Sequence, residues 1–176
     1  MDFIETLLFK LKDNDFRVRC NAVSGLGKIK DQRALSALLG ALANRQENDP
    51  DRRVNVYTIL ALAKMGEYSL VPLINALKKD PSHPDDSWRR YWAALALGYR
   101  EDKRVIEPLI DLLSENDHVV IEGAVTALVD IDDSIGLGGL KNKAIESMKK
   151  AYENQKTIDC YANILLKKTI KELEES

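Results

Sequence analysis

Apolar residues along this chain recur at intervals of three and four rather than two. Val18, Ala22, Leu26 and Ile29 form one such set, and Val120, Ala124, Leu128 and Ile131 form another. Leu35, Leu38, Leu39 and Leu42, and likewise Val105, Leu109, Leu112 and Leu113, continue the pattern. This spacing places side chains on one face of an α-helix. No segment shows the alternation of a half-buried strand. The pattern predicts ten helices in five pairs.

The helices repeat. VRCNAVSGLGKIKDQRALSALLGAL (Val18 to Leu42), VNVYTILALAKMGEYSLVPLINAL (Val54 to Leu77) and RRYWAALALGYREDKRVIEPLIDLL (Arg89 to Leu113) read alike. VIEGAVTALVDIDD (Val120 to Asp133) repeats the first half of that unit, and FIETLLFKL (Phe3 to Leu11) its second half. The period is about 31 to 36 residues, near that of helical-repeat proteins. Start signals fall between the halves. Asp49-Pro50, Asp86-Ser87 and Asn116-Asp117 precede one kind of helix, and Asp31, Asp102 and Asp133 precede the other. A carboxylate there accepts from unpaired N–H groups of the first turn and suits the helix dipole. Pro72 and Pro108 are placed near helix starts, where a missing N–H costs least. Leu137 to Leu173, rich in Lys and Glu, reads as a less faithful terminal pair whose outer face meets water.

The expected fold is all-α: an α-solenoid, a right-handed superhelix of about five helix pairs in a single domain. The units span approximately 1–30, 31–66, 67–101 and 102–133, with 134–176 as a cap. The run Val18-Arg19, Ala22, Leu26-Gly27, Ile29 and Asp31, followed by an ALxxLLxAL helix, resembles the HEAT-like repeats of the phycobilisome-lyase type. The likeness covers roughly residues 2 to 133. It implies a fold shared by bilin-lyase subunits, a metal-dependent hydroxylase and many small binding scaffolds, so it fixes architecture more tightly than function. The sequence departs from the pattern at Arg89 and Arg100, where other repeats carry Val or Ile/Met. Asn55 and Ile121 replace the motif arginine.

Composition narrows the classes. A hydrophobic share of 45% suits a soluble globular chain, and a formal charge of -2 exerts no global pull on nucleic acid or an anionic membrane. Cys20 and Cys160 stand far apart with no CxxC, which fits a reducing compartment better than a disulfide scaffold. The opening MDFIETLLFKLKDND carries acids and no small-residue cleavage site, unlike a signal peptide. No apolar stretch approaches the roughly 20 residues that span a bilayer. The expectation is a cytoplasmic protein.

Candidate chemistry is sparse. The hydroxylase branch of the resembled family binds iron through His-Glu pairs, but His83 and His118 are the only histidines and neither precedes a Glu. His118 and Glu122 stand one helical turn apart, and two ligands are too few for a site without help. Ser24-Gly25-Leu26-Gly27-Lys28 looks like a phosphate loop, but it lies within a helix whose register already accounts for it. Gly136-Leu137-Gly138-Gly139 reads as a turn before the cap. No nucleophile with a nearby base can be assembled, so no enzymatic activity and no cofactor are expected.

A partner is expected instead, on the second helix of each pair. One stripe beside the core runs Arg17, Asn21, Ser24 and Lys28 in the first repeat, all polar. Its equivalents are Arg53, Tyr57, Leu60 and Lys64, then Trp88, Trp92, Leu95 and Tyr99, then Val119, Gly123, Thr126 and Asp130. Aromatic and apolar side chains therefore concentrate at central positions of a stripe that faces water at its start. Such an arrangement suits a binding hot spot. Tyr91 lies beside it, and Arg53, Lys64, Arg90 and Lys28 would form a positive rim. The expected groove takes apolar or aromatic groups with acidic character around them. Arg89 and Arg100 leave a second reading open, in which a rotated helix buries Trp88 and Tyr99. The patch could also bury itself in a homo-oligomer. Two longer loops, Ala43–Asp51 and Lys78–Ser87, belong to the same repeats and are expected along one edge of the site.

The favoured function is a non-catalytic scaffold that binds a protein or peptide on the concave face. One alternative, implied by the lyase resemblance, is a subunit of a bilin-lyase-like or other enzyme complex. Another is nucleic-acid binding through Arg52, Arg53, Arg89 and Arg90 with the aromatics between them, against which the net charge and interspersed acids argue.

Overall fold

A computed structural model describes residues 2–42, 52–82, 86–155 and 161–175. The expected loop Ala43–Asp51, the Asp49-Pro50 start signal, His83 and Cys160 lie outside the described residues. The described chain forms α1 (Phe3–Lys10), α2 (Phe16–Leu26), α3 (Gln32–Leu42), α4 (Arg53–Lys64), α5 (Glu67–Ala76), α6 (Asp86–Gly98), α7 (Ile106–Leu112), α8 (His118–Ile135), α9 (Lys141–Gln155) and α10 (Tyr161–Glu175), and among these residues there is no strand. None of these helices is long and apolar enough to cross a membrane.

The helices stack in two layers. Even-numbered helices contact one another in succession, α2 on α4, α4 on α6, α6 on α8 and α8 on α10. In the other layer α1 meets α3, α3 meets α5 and α7 meets α9, and each odd helix packs on the even helix that follows it. The core lies between. The repeat positions Ala22, Thr58, Ala93 and Ala124 are all fully buried there, as are Leu26, Leu62, Leu97 and Leu128.

Local chemistry sets most helix starts. Asp2 caps α1 in a reciprocal arrangement with Glu5. Asp15 accepts from the Arg17 N–H, Asp31 from Arg33, Asp102 from Arg104, and Asp117 from Val119 and Val120. Two expectations need correction. Asp133 starts no helix, because α8 runs on to Ile135 and Asp132 accepts from the Leu137 N–H. Gly136, at φ 71°, ends α8 instead, a conformation that favours glycine. Pro72 lies inside α5 rather than at its start.

Small residues set the spacing of the even layer. A Cβ on Gly27 would stand 2.6 Å from the Cβ of Ala61, and one on Gly98 would stand 2.9 Å from the Cα of Ala127. The glycine of the LG motif therefore lets α2 touch the backbone of α4 and α6 that of α8.

Arginines tie helix ends together. Arg90 is 2% exposed, donates from Nε to the Leu77 carbonyl at 2.7 Å and forms a two-pronged ion pair with Glu115. Arg89 donates to the carbonyls of Ala76 and Lys78, each at 2.8 Å, and pairs with Asp86. Arg19 and Asn55, at the position equivalent to Arg90, likewise donate to the Asp13 and Leu42 carbonyls. These carbonyls belong to helix ends or the turns just beyond them, where no intrahelical donor remains. Arg100 donates to the Gly66 carbonyl at 2.8 Å and to the Ser69 hydroxyl, and burial lowers its pKa from the ordinary value. The departures noted at Arg89 and Arg100 are thus cross-braces, and no rotation of α6 is needed to hide them.

Candidate functional site

The stripe read from the sequence lies along the even layer, but its members are not equally accessible. Tyr57 is 45% exposed and Tyr99 57% exposed, with Leu60, Arg53, Lys64 and Lys28 also at the surface. Trp92 is only 9% exposed and Leu95 only 8%. The expectation that both face outward is corrected, and so is the placement of Arg90 on the rim, since it is sealed against Leu77 and Glu115. Trp88 and Tyr91 are half-buried against the core. Of the two readings for the third repeat, Tyr99 takes the exposed one and Trp88 stands between them.

The physical reason lies in α8. A Cβ on Gly123 would meet the Cα of Tyr91 at 3.0 Å, so α8 presses directly on α6 at this point. The close approach covers the α6 side chains that a wider spacing would leave bare. The aromatic side chains form a cluster, with Tyr91 edge-on to Trp88 at 5.4 Å and to Trp92 at 5.0 Å. The Arg52 guanidinium lies over the Trp88 ring at 4.0 Å, a cation–π contact. Arg52 adopts φ 50° at the start of α4 with no side-chain cap there. Its stacking helps hold a backbone conformation that non-glycine residues disfavour.

Glu122 joins this cluster from α8. Burial raises its carboxyl above the usual range, against the opposing pull of His118, the Tyr91 hydroxyl and Arg52. Burial, and then the charge on Glu122, raises the Tyr91 phenol. His118 and Glu122 do share a helix face, as their spacing predicts, and among the described residues no three His, Cys, Asp or Glu side chains gather as a metal cluster. All four arginines considered for nucleic acid make contacts within the chain, Arg52 with Trp88, Arg53 with Phe16, Arg89 with Ala76 and Arg90 with Leu77.

The open part of the face lies nearer the amino terminus than the sequence suggests. A cavity of about 400 Å³ opens between α2 and α4, lined by Ser24, Gly27, Lys28, Lys30, Tyr57, Leu60, Ala61, Lys64 and Met65. It therefore brings together Tyr57, Leu60 and Lys64 of the second repeat with Ser24 and Lys28 of the first. Trp88, Tyr91, Trp92, Leu95 and Tyr99 belong to none of its walls. The segment 24–28, which resembles a phosphate loop in sequence, supplies the end of α2 and one wall of this groove. Lys30, Ala61 and Met65 were not singled out from the sequence; for Ala61 the signal was its pairing with Gly27, a small residue about one repeat away.

The family model for HEAT repeats matches residues 41–129, half of the 176-residue chain, and that for the PBS lyase HEAT-like repeat matches residues 18–44. The chain is a HEAT-repeat protein. No curated protein matches this HEAT-repeat chain. The resemblance drawn from Val18-Arg19, Ala22 and Leu26-Gly27 is thereby shown. Within the family pattern, the motif arginine acquires a visible task as a helix-end brace at Arg19 and Arg90, which asparagine performs at Asn55.

Proposed function

We propose that this HEAT-repeat protein is a non-catalytic cytoplasmic scaffold that docks a protein or peptide on the exposed face of its even-numbered helices. One observation carries the reading. Tyr57, Leu60 and Tyr99 remain exposed at stripe positions that are polar in the first repeat, although nothing in the packing of α4 or α6 requires large apolar groups there. Exposed apolar side chains gathered on one face and bordered by Arg53, Lys64 and Lys28 match the anatomy of a binding surface. The cross-braced arginines support this by holding the layer rigid, which lowers the ordering cost on association.

Photo-crosslinking in the native host tests the proposal. A benzophenone amino acid at position 57 or 99 should yield a defined adduct with another polypeptide. The same group at position 71, where Val71 is exposed on α5 in the other layer, should yield none. Equal yields at all three positions, or adducts only at 71, would refute the assignment. An adduct with a second copy of the chain would make the face a self-association surface.

A further inference from the structure

We infer that the groove between α2 and α4 is a subsite for an acidic peptide segment, taking one bulky apolar side chain between lysines that pair with the flanking carboxylates. The inference rests on the docking reading above and narrows it to a place and a chemistry.

The walls are apolar. Leu60, Ala61, Met65 and the Tyr57 ring form one side, and Gly27 contributes no side chain on the other. The floor is shallow because Gly27 lies against Ala61, so a residue larger than glycine at 27 would have to displace α4. A volume of about 400 Å³ is at the small end of the roughly 300–1,000 Å³ of ligand pockets, suited to a side chain or two rather than a whole folded surface.

The rim is cationic. Lys28, Lys30 and Lys64 are all exposed, and no carboxylate lines the groove. Some cations elsewhere on the surface are answered by acids: Arg33 by Asp2 and Asp31, Arg104 by Glu67 and Asp102, Lys143 by Glu107 and Lys149 by Glu174. None of the three rim lysines has such a partner among the described residues. In a chain of net charge -2, three unanswered lysines around an apolar groove favour an anionic occupant.

The polarity of the face sets where that occupant ends. One repeat position reads Lys28, Lys64, Tyr99 and Asp130 from α2 to α8. Asp130, joined by Glu122 on the same helix, would repel acids, so an acidic segment is confined to the first two repeats. A basic or apolar continuation would pass Tyr99 towards α8. An apolar groove with a single aromatic wall fits a side chain better than stacked bases, which use successive rings.

Fluorescence anisotropy on the full chain tests the inference with four labelled probes. These are a twelve-residue peptide with a central Phe flanked by Asp and Glu, the same peptide with Ser for Phe, a charge-swapped version with Lys and Arg, and a twelve-nucleotide oligo-dT. The acidic Phe peptide should bind most tightly, and added salt should weaken it. The Lys28→Glu/Lys64→Glu variant, altered only at exposed sites, should weaken it about tenfold or more. Leu60→Asp should do likewise while circular dichroism stays unchanged. Three results would overturn the inference: no binding of the acidic Phe peptide, equal binding of its Ser or charge-swapped versions, or indifference to lysine reversal. Tighter, lysine-dependent capture of oligo-dT would assign the groove to nucleic acid instead. If crosslinking at positions 57 and 99 succeeds while the peptide arm fails, the docking face stands and only the acidic subsite falls.

Discussion

Replacing Gly27 by alanine should destabilise the protein, although alanine is the better helix former. A Cβ at position 27 would stand 2.6 Å from the Ala61 Cβ and 2.9 Å from the Ala61 Cα. The second of these atoms is backbone, so no rotamer change relieves the clash and α2 must move from α4 by roughly 1 Å. Overpacking of this kind costs about 1–3 kcal/mol. Gly27 caps α2 with φ -63°, so alanine suits its backbone and recovers up to about 1 kcal/mol by restricting the unfolded chain. The net expectation is a loss of about 1–2 kcal/mol. Gly40 on α3 supplies the control, since nothing lies within 4 Å of its added Cβ. Gly40→Ala should gain about 0.5–1 kcal/mol by propensity alone. At roughly 2–4 °C per kcal/mol for a chain of this size, the two variants should differ in Tm by about 3–12 °C.

Urea unfolding read in parallel by circular dichroism and tryptophan fluorescence checks this. Both tryptophans lie on α6, so fluorescence reports the third repeat while circular dichroism reports every helix. Agreement of the two midpoints would show that the repeats unfold together. If Gly27→Ala stabilises as much as Gly40→Ala, the close approach of α2 and α4 is wrong, and the groove floor built on it goes too.

Three further outcomes are expected. Arg90→Met removes the bond to Leu77 and the ion pair with Glu115, and should cost about 2–3 kcal/mol in urea unfolding, with Arg90→Lys restoring less than half because an ammonium cannot reproduce the fork. Asp117→Ala should cost about 1 kcal/mol through loss of the α8 cap, and Asp117→Asn should recover most of it. Asp130 has its carboxyl raised above the ordinary 3.8 by burial and by Asp133, so the folded state disfavours its charge. The cost is absent below the unfolded pKa and complete above the folded one. Asp130→Asn should therefore stabilise at pH 7 and give no gain at pH 3, measured as Tm against pH; an equal gain at both would refute the assignment of its cause.

The amino-acid order by itself determined what is local. Periodic Val, Ala and Leu positions fix the helices, Asp15, Asp31, Asp102 and Asp117 fix their starts, and a repeat near 35 residues dictates stacking, because each of these depends on neighbours within one or two turns. The face that carries Tyr57, Leu60 and Tyr99 was legible for the same reason. Tertiary structure decided which members of that face stay open. Trp92 and Leu95 share the stripe but lose their exposure as α8 closes on α6 through Gly123 and Ala127. Arg90 leaves the rim because the Leu77 carbonyl and Glu115 meet it in the interior. The groove between α2 and α4 depends on Gly27 touching Ala61, a pair 34 positions apart. Burial follows from the distance between helices, and that distance is set by side chains in contact across repeats rather than along them.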